Sequence, residues 1–263
     1  MIVACWQATS HCGNPSAPLD RIAEVAGRAA AAGAELLVTP ELSATGYPRA
    51  LADVDSVAEP VDGPTARAMA DIAATANIAI AYGWPEWKRD GVRNSVALVG
   101  SDGSTLAVYN KVHLYGHRER AAFVPGDEAV VQARVGDVTV GLLVCFDVEF
   151  PEPVRAHAVA GTDLLVVPTA LESPWDMVAD TVVPTRAFES QLYLCYANWA
   201  GPEGDGHFCG RSRIVGPDGR GEPAGGSGEE LLLADVDHER LRAARAVTPY
   251  LRDRRPDLYR DLL

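Results

Sequence analysis

Short apolar runs and amphipathic stretches alternate along this chain, and that alternation restricts it to α/β architectures. Residues 2–7, 36–39 and 78–84 are strand-length runs of mostly apolar side chains. Between them, residues 18–32 set Leu19, Ile22, Val25, Ala26 and Ala29 on one stripe and stop at Gly33, and residues 64–76 open on Gly63-Pro64. Both patterns are helical. Strand, helix, strand in that order calls for a sheet covered by helices. Residues 92–99 and 105–111 form an expected hairpin across residues 100–103, and residues 129–133 pair with 138–144 around Gly136-Asp137. Further helices are expected over 151–160, 173–191 and 237–246, and strands over 164–167 and 192–197. Residues 211–215 and 230–236 are expected to pair across the glycine-rich stretch 216–228. No segment reads as an interdomain linker and no repeat is present, so residues 1–263 read as one domain.

Charge and cysteine usage narrow the partners. A formal net charge of -13 argues against nucleic acid, which needs a basic patch, and against an anionic membrane surface. No apolar run approaches the roughly 20 residues of a membrane span, and residues 1–7 carry no basic n-region or long apolar h-region, so no signal peptide is expected. Five cysteines, an odd count without regular spacing, fit reduced thiols and a cytoplasmic location. Cys5 and Cys195 lie in strand-like runs and read as core, Cys12 lies in a polar loop, and Cys209 has no assigned role. His113 and His117 are four apart, but Gly116 intervenes in a segment leaving a strand, so a metal pair is not expected. With no zinc spacing and no phosphate-cradling loop, neither metal nor cofactor is expected.

Cys145 is the residue with the sharpest chemical reading. It follows the apolar run of residues 138–144, and Pro151 suits the first turn of the next helix. A thiol is thus held on a tight strand-to-helix connection, where the Phe146 backbone N–H can face an oxyanion. Taken alone, such a cysteine is usually just a small buried hydrophobe. Three other residues stand in comparable places. Glu41 follows the strand 36–39, at the carboxyl end where open α/β sheets bind ligands, or is a solvated carboxylate. Lys111 ends the run 105–109, as a functional cation or an edge-strand lysine. Glu119 lies between Arg118 and Arg120, which also suits a surface ion pair.

Together these pieces resemble the nitrilase superfamily of carbon–nitrogen hydrolases. The matching motifs are Pro40-Glu41-Leu42 with Gly46-Tyr47, then Asn110-Lys111-Val112-His113-Leu114, then Cys145-Phe146-Asp147-Val148-Glu149-Phe150-Pro151-Glu152. The resemblance runs over nearly the whole chain. It implies a four-layer αββα sandwich of two mixed sheets with helices outside. It also implies a catalytic triad of Glu41, Lys111 and Cys145, with Glu119 as the second glutamate before Phe123-Val124-Pro125-Gly126. The charged tail, residues 247–263, resembles family tails that cross a dimer interface, so a homodimer or higher homo-oligomer is expected.

Residue chemistry fits that triad. A nearby Lys111 cation would lower the Cys145 thiol pKa, and with the Phe146 N–H it would hold the oxyanion. Glu41 would act as general base and then acid through a thioester intermediate, with Glu119 orienting Lys111 or the substrate. Residues 166–213 look most like aliphatic amidases, and among these are similar to the 5-aminopentanamidase type, which releases ammonia from an ω-amino amide. A small-molecule amide is the expected substrate, with N-carbamoyl amine hydrolysis and then nitrile hydrolysis as alternatives, and a binding protein on the same fold behind them. Glu172, Trp175 and Asp176 are candidates for the far end of a substrate, although Ser173, Pro174 and Asp176 also have the spacing of a helix capping box. Trp199 suits either the pocket wall or the core.

Overall fold

The computed structural model describes residues 1–9, 17–203, 206–221 and 223–259. Its strands are β1 (Ile2–Thr9), β2 (Leu36–Val38), β3 (Ala79–Lys88), β4 (Gly91–Val99), β5 (Thr105–Asn110) and β6 (Gln132–Val135). They continue with β7 (Val138–Leu142), β8 (Leu164–Thr169), β9 (Tyr193–Glu203), β10 (Gly206–Cys209), β11 (Arg213–Val215) and β12 (Glu230–Asp235). One mixed sheet runs β5-β4-β3-β2-β1-β12 and a second runs β6-β7-β8-β9-β11. The two adjoin where β1 and β9 share two parallel pairs, Ala8 with Trp199 and Thr9 with Ala200.

The alternating side-chain direction of a strand makes this a four-layer αββα sandwich. In β1, Val3 and Cys5 join the core between the sheets, with Leu142, Val166 and Cys195 from the second sheet. Ala4, Trp6 and Ala8 face the other way, onto Ile22, Val25 and Ala29 of the helix Ala17–Ala31 and Met69 and Ala73 of the helix Pro64–Ala76. The helices Pro151–Val159 and Val183–Ser190 cover the second sheet with Val154, Ala158, Val183 and Ala187. Among the described residues no helix is long and apolar enough to cross a membrane.

Several elements differ from the sequence expectations. β11 and β12 do not pair with each other: β11 pairs with β9 and β12 with β1, so the glycine-rich stretch carries the chain from one sheet to the other. The expected helix 173–191 begins late, at Asp176, and passes through a π-helical turn Val178–Val182 into Val183–Ser190. Glu172 bridges to Phe208 and the Ser173 N–H donates to His207 O at 2.9 Å, so the chain there is still tied to β10. Ser173 is therefore no N-cap, and the capping box with Asp176 does not form. The helices Tyr47–Ala52, Val54–Val57 and Gly116–Ala122 were not anticipated. Cys5 and Cys195 are core residues as read. The polar loop of Cys12 and residues 260–263 of the tail lie outside the described residues.

Candidate functional site

Glu41, Lys111, Glu119 and Cys145 arrive from four connections and meet where the two sheets adjoin. Glu41 follows β2, and its main chain is held by the second sheet: its N–H donates to Thr169 O at 3.3 Å, and the Trp199 indole N–H donates to its carbonyl at 2.8 Å. The next residue, Leu42, has a left-handed φ of 52° and packs so tightly on β3 that a Cβ at Gly83 would lie 2.5 Å from Leu42 N. That contact requires glycine at position 83. Lys111 immediately follows β5, pinned by its N–H to Asn94 O at 2.8 Å. Glu119 lies on the short helix Gly116–Ala122.

The Lys111 ammonium, fully buried, donates to Glu41 Oε1 at 2.7 Å and to Glu119 Oε1 at 2.8 Å. Lys111 is thus no edge lysine and Glu119 no surface ion pair. Glu119 is further fixed by the Tyr47 hydroxyl at 2.8 Å and the Tyr115 N–H at 2.7 Å. Asn94 donates to Glu41 Oε1 at 2.7 Å, while Glu41 Oε2 is buried with no hydrogen-bond partner among the described residues. One carboxylate oxygen is therefore committed to the lysine and the other is available to a proton.

Cys145 opens the 3-10 turn Cys145–Glu149 with a left-handed φ of 47°. Such a conformation costs a non-glycine residue about 1–3 kcal/mol and persists only where neighbours impose it. Here Asp147, on the same turn, accepts from the Val144 N–H at 3.1 Å, and Arg186 grips the carbonyls of Val148 and Glu149 at 3.1 and 2.7 Å. The thiol is half-buried on the wall of a cavity of about 380 Å³, shared with Tyr47, Glu119, Phe146, Glu149, Glu172 and Trp175.

Charge in this site departs from one expectation. Burial pushes the Cys145 thiol well above its ordinary range, Glu41 and Glu119 push the same way, and Lys111 only partly opposes them. The lysine does not leave a resting thiolate, because burial and the two carboxylates that share its charge outweigh it. Burial likewise raises Glu41, with Lys111 opposing and Glu119 assisting, to about 7. For Lys111 burial pulls down, but Glu41, Glu119 and Cys145 together hold it well above the usual lysine value. The free site therefore holds a thiol, an ammonium and a carboxyl group poised near neutrality.

The remaining candidates divide. Glu172 and Trp175 line the cavity. Asp176 does not line it, and Trp199 packs in the core behind Glu41. Tyr47 and Asn94 carry hydrogen bonds of the site and were not picked out from the sequence as site residues, with Gly46-Tyr47 in the first motif the available signal for Tyr47; Asp147, within the motif that carries Cys145, hydrogen-bonds the loop beside the thiol. Among the described residues no group of three or more His, Cys, Asp or Glu side chains could hold a metal ion.

Comparison with known proteins agrees with this architecture. The family model for carbon-nitrogen hydrolase matches residues 2–246. The chain is 40% identical over 263 residues to a hydrolase in the pqqF 5' region of Pseudomonas protegens, covering 100% of this chain and 92% of that protein. An amidase from Nesterenkonia sp. superposes with a TM-score of 0.89 at 38% identity, covering 100% of this chain and 96% of the other. A mutant of the amidase from Nesterenkonia sp. AN1, with TM-score 0.87, 36% identity and 100% of both chains covered, shows the result of Michael addition of acrylamide at its active-site cysteine.

Proposed function

Because the chain belongs to the carbon–nitrogen hydrolase family, in the amidase branch of the nitrilase superfamily, we propose that it hydrolyses a small aliphatic carboxamide to carboxylate and ammonia through a thioester on Cys145. The observation that carries this reading is the buried Lys111 ammonium, within 2.8 Å of two carboxylates, one of which, Glu119, shares a cavity wall with the Cys145 thiol.

The amide carbonyl carbon enters beside Cys145 Sγ. The thiol is held protonated, so its proton leaves as sulfur attacks, and Glu41 Oε2 takes it. A carboxyl group with a pKa of about 7 suits both halves of that exchange, accepting here and donating next. The oxyanion is held by the Lys111 ammonium and the Phe146 N–H, a contribution of roughly 10²–10³ in rate per donor. Glu41 then protonates the nitrogen, the C–N bond breaks, ammonia leaves and a thioester remains. Water enters, gives one proton to Glu41 and attacks the thioester; Glu41 returns that proton to the Cys145 sulfur as the C–S bond breaks, and the acid loses its remaining proton to ammonia or solvent as it leaves as carboxylate. Glu119 keeps Lys111 charged and in place.

The finer substrate reading is an ω-amino amide. Glu149 and Glu172 line the cavity with Trp175, and carboxylates beside an aromatic face suit a substrate ammonium. A homo-oligomer is favoured by the exposed apolar side chains of the C-terminal region, Val247, Leu258 and Tyr259. A cytoplasmic location is favoured by the four described cysteines, which are unbridged.

The test is ammonia release from butyramide, 5-aminopentanamide, N-carbamoyl amines and the matching nitriles, beside a Cys145→Ala control. Amide turnover lost in the control supports the reading. Ammonia with carbon dioxide from the carbamoyl compounds alone would replace it with carbamoyl hydrolysis, and turnover surviving in the control would overturn the role of Cys145.

A further inference from the structure

Cys145 and Lys111 follow strands of different sheets, so something must fix their separation. Asp147 touches the connections of both. It is fully buried, and its two oxygens accept four hydrogen bonds. Oδ2 takes the N–H of Val144, the residue before the thiol, at 3.1 Å, and the Tyr109 hydroxyl at 2.9 Å. Oδ1 takes the His113 N–H and His113 Nδ1, each at 2.8 Å. Tyr109 and His113 are the residues two before and two after Lys111. His113 must carry its proton on Nδ1, since a carboxylate only accepts. The His113 ring also stacks on Phe150 at 4.0 Å, and Phe150 meets Phe146 edge-on at 5.0 Å, which closes the same connection on the apolar side.

We infer that Asp147 is a positioning residue that sets the spacing between the Cys145 thiol and the Lys111 ammonium, by gripping the turn of one and both flanks of the other. It is given no contact with substrate: both of its oxygens are committed to protein donors. Hydrogen bonds to a buried carboxylate are short and directional, and a misplacement of about 1 Å between reacting groups is enough to cost roughly 10²-fold in rate. Burial and the Asp147 charge together hold the Tyr109 phenol well above its ordinary range, so that hydroxyl remains a donor.

Asp147→Asn keeps the shape and replaces one acceptor with a donor. Whichever way the amide turns, its NH2 group faces a backbone N–H, that of Val144 or that of His113, and neither can reverse. The inference rests on Cys145 and Lys111 being the reacting pair, which the Cys145→Ala control tests separately. Steady-state kinetics of Asp147→Asn should show kcat for amide hydrolysis lower by roughly 10²-fold with KM changed by less than about threefold, because the cavity wall is intact. Alkylation of Cys145 by iodoacetamide, which forms no oxyanion for Lys111 to hold, should fall at least tenfold less than hydrolysis. Tyr109→Phe removes one of the four bonds and serves where Asp147→Asn does not fold; kcat should fall about tenfold with KM unchanged. A folded Asp147→Asn or Tyr109→Phe whose kcat stays within twofold of wild type would overturn the inference. So would a loss expressed only in KM, or equal losses in hydrolysis and alkylation.

Discussion

Lys111 Nζ lies 2.7 Å from Glu41 Oε1, and neither side chain is exposed to solvent. A single ammonium placed between Glu41 and Glu119 cannot neutralise both, so the site keeps excess negative charge, which the Cys145 thiol and Glu41 relieve by holding protons.

The first consequence is a pH profile. With Glu41 pushed up to about 7, the fraction able to accept a proton grows as pH rises through that value. The kcat/KM for amide hydrolysis should rise about tenfold per pH unit below 7 and level off above it. In Glu41→Gln the limb should disappear with the activity. A flat profile between pH 5 and 8 would remove Glu41 from the proton-transfer role. Stability runs the other way: an acid whose pKa is raised on folding contributes most below the ordinary carboxylate range, and that contribution is lost as pH rises through about 7.

Removing the lysine should damage the fold as well as the reaction. Lys111→Met leaves Glu41 and Glu119 buried without their shared cation, a class of change that costs about 3–5 kcal/mol. Urea unfolding at pH 8 should show a loss of that order, and it should shrink at pH 5, where a carboxyl group can take up a proton instead. An equal loss at both pH values would contradict the charge account.

Tyr47 anchors Glu119 through its hydroxyl at 2.8 Å and also lines the cavity. Tyr47→Phe keeps the ring and removes one hydrogen bond to a charged group, worth about 1.5–3 kcal/mol. The expected result is a roughly tenfold or greater loss in kcat/KM at a fold stability lowered by no more than that amount. Unchanged kinetics would mean that Glu119 needs no support from Tyr47.

The positions of the candidate residues were legible where each stands at the end of an apolar strand. Glu41, Lys111 and Cys145 each follow such a run, and a strand end is visible from local pattern. Tyr47 was legible only as part of a motif, because the helix Tyr47–Ala52 has no clear apolar stripe to announce it. Asn94 lies inside β4, where a buried polar residue has a partner only the tertiary fold reveals. The pairing of β11 with β9 and of β12 with β1 was missed for a related reason. Neighbouring strands in sequence favour a hairpin, and nothing local signals that the intervening glycines cross between sheets. The raised thiol pKa was illegible because it depends first on burial and then on how many carboxylates share one lysine, both of which only packing decides.

Acylation of Cys145 is the central claim, and intact-mass spectrometry after rapid acid quench of the enzyme with a short aliphatic amide tests it most directly. The account predicts a mass increase of one acyl group, formed with release of ammonia, mapped to the peptide carrying Cys145 and absent in Cys145→Ala. Ammonia release with no acyl adduct at any quench time, and with turnover preserved in Cys145→Ala, would contradict it.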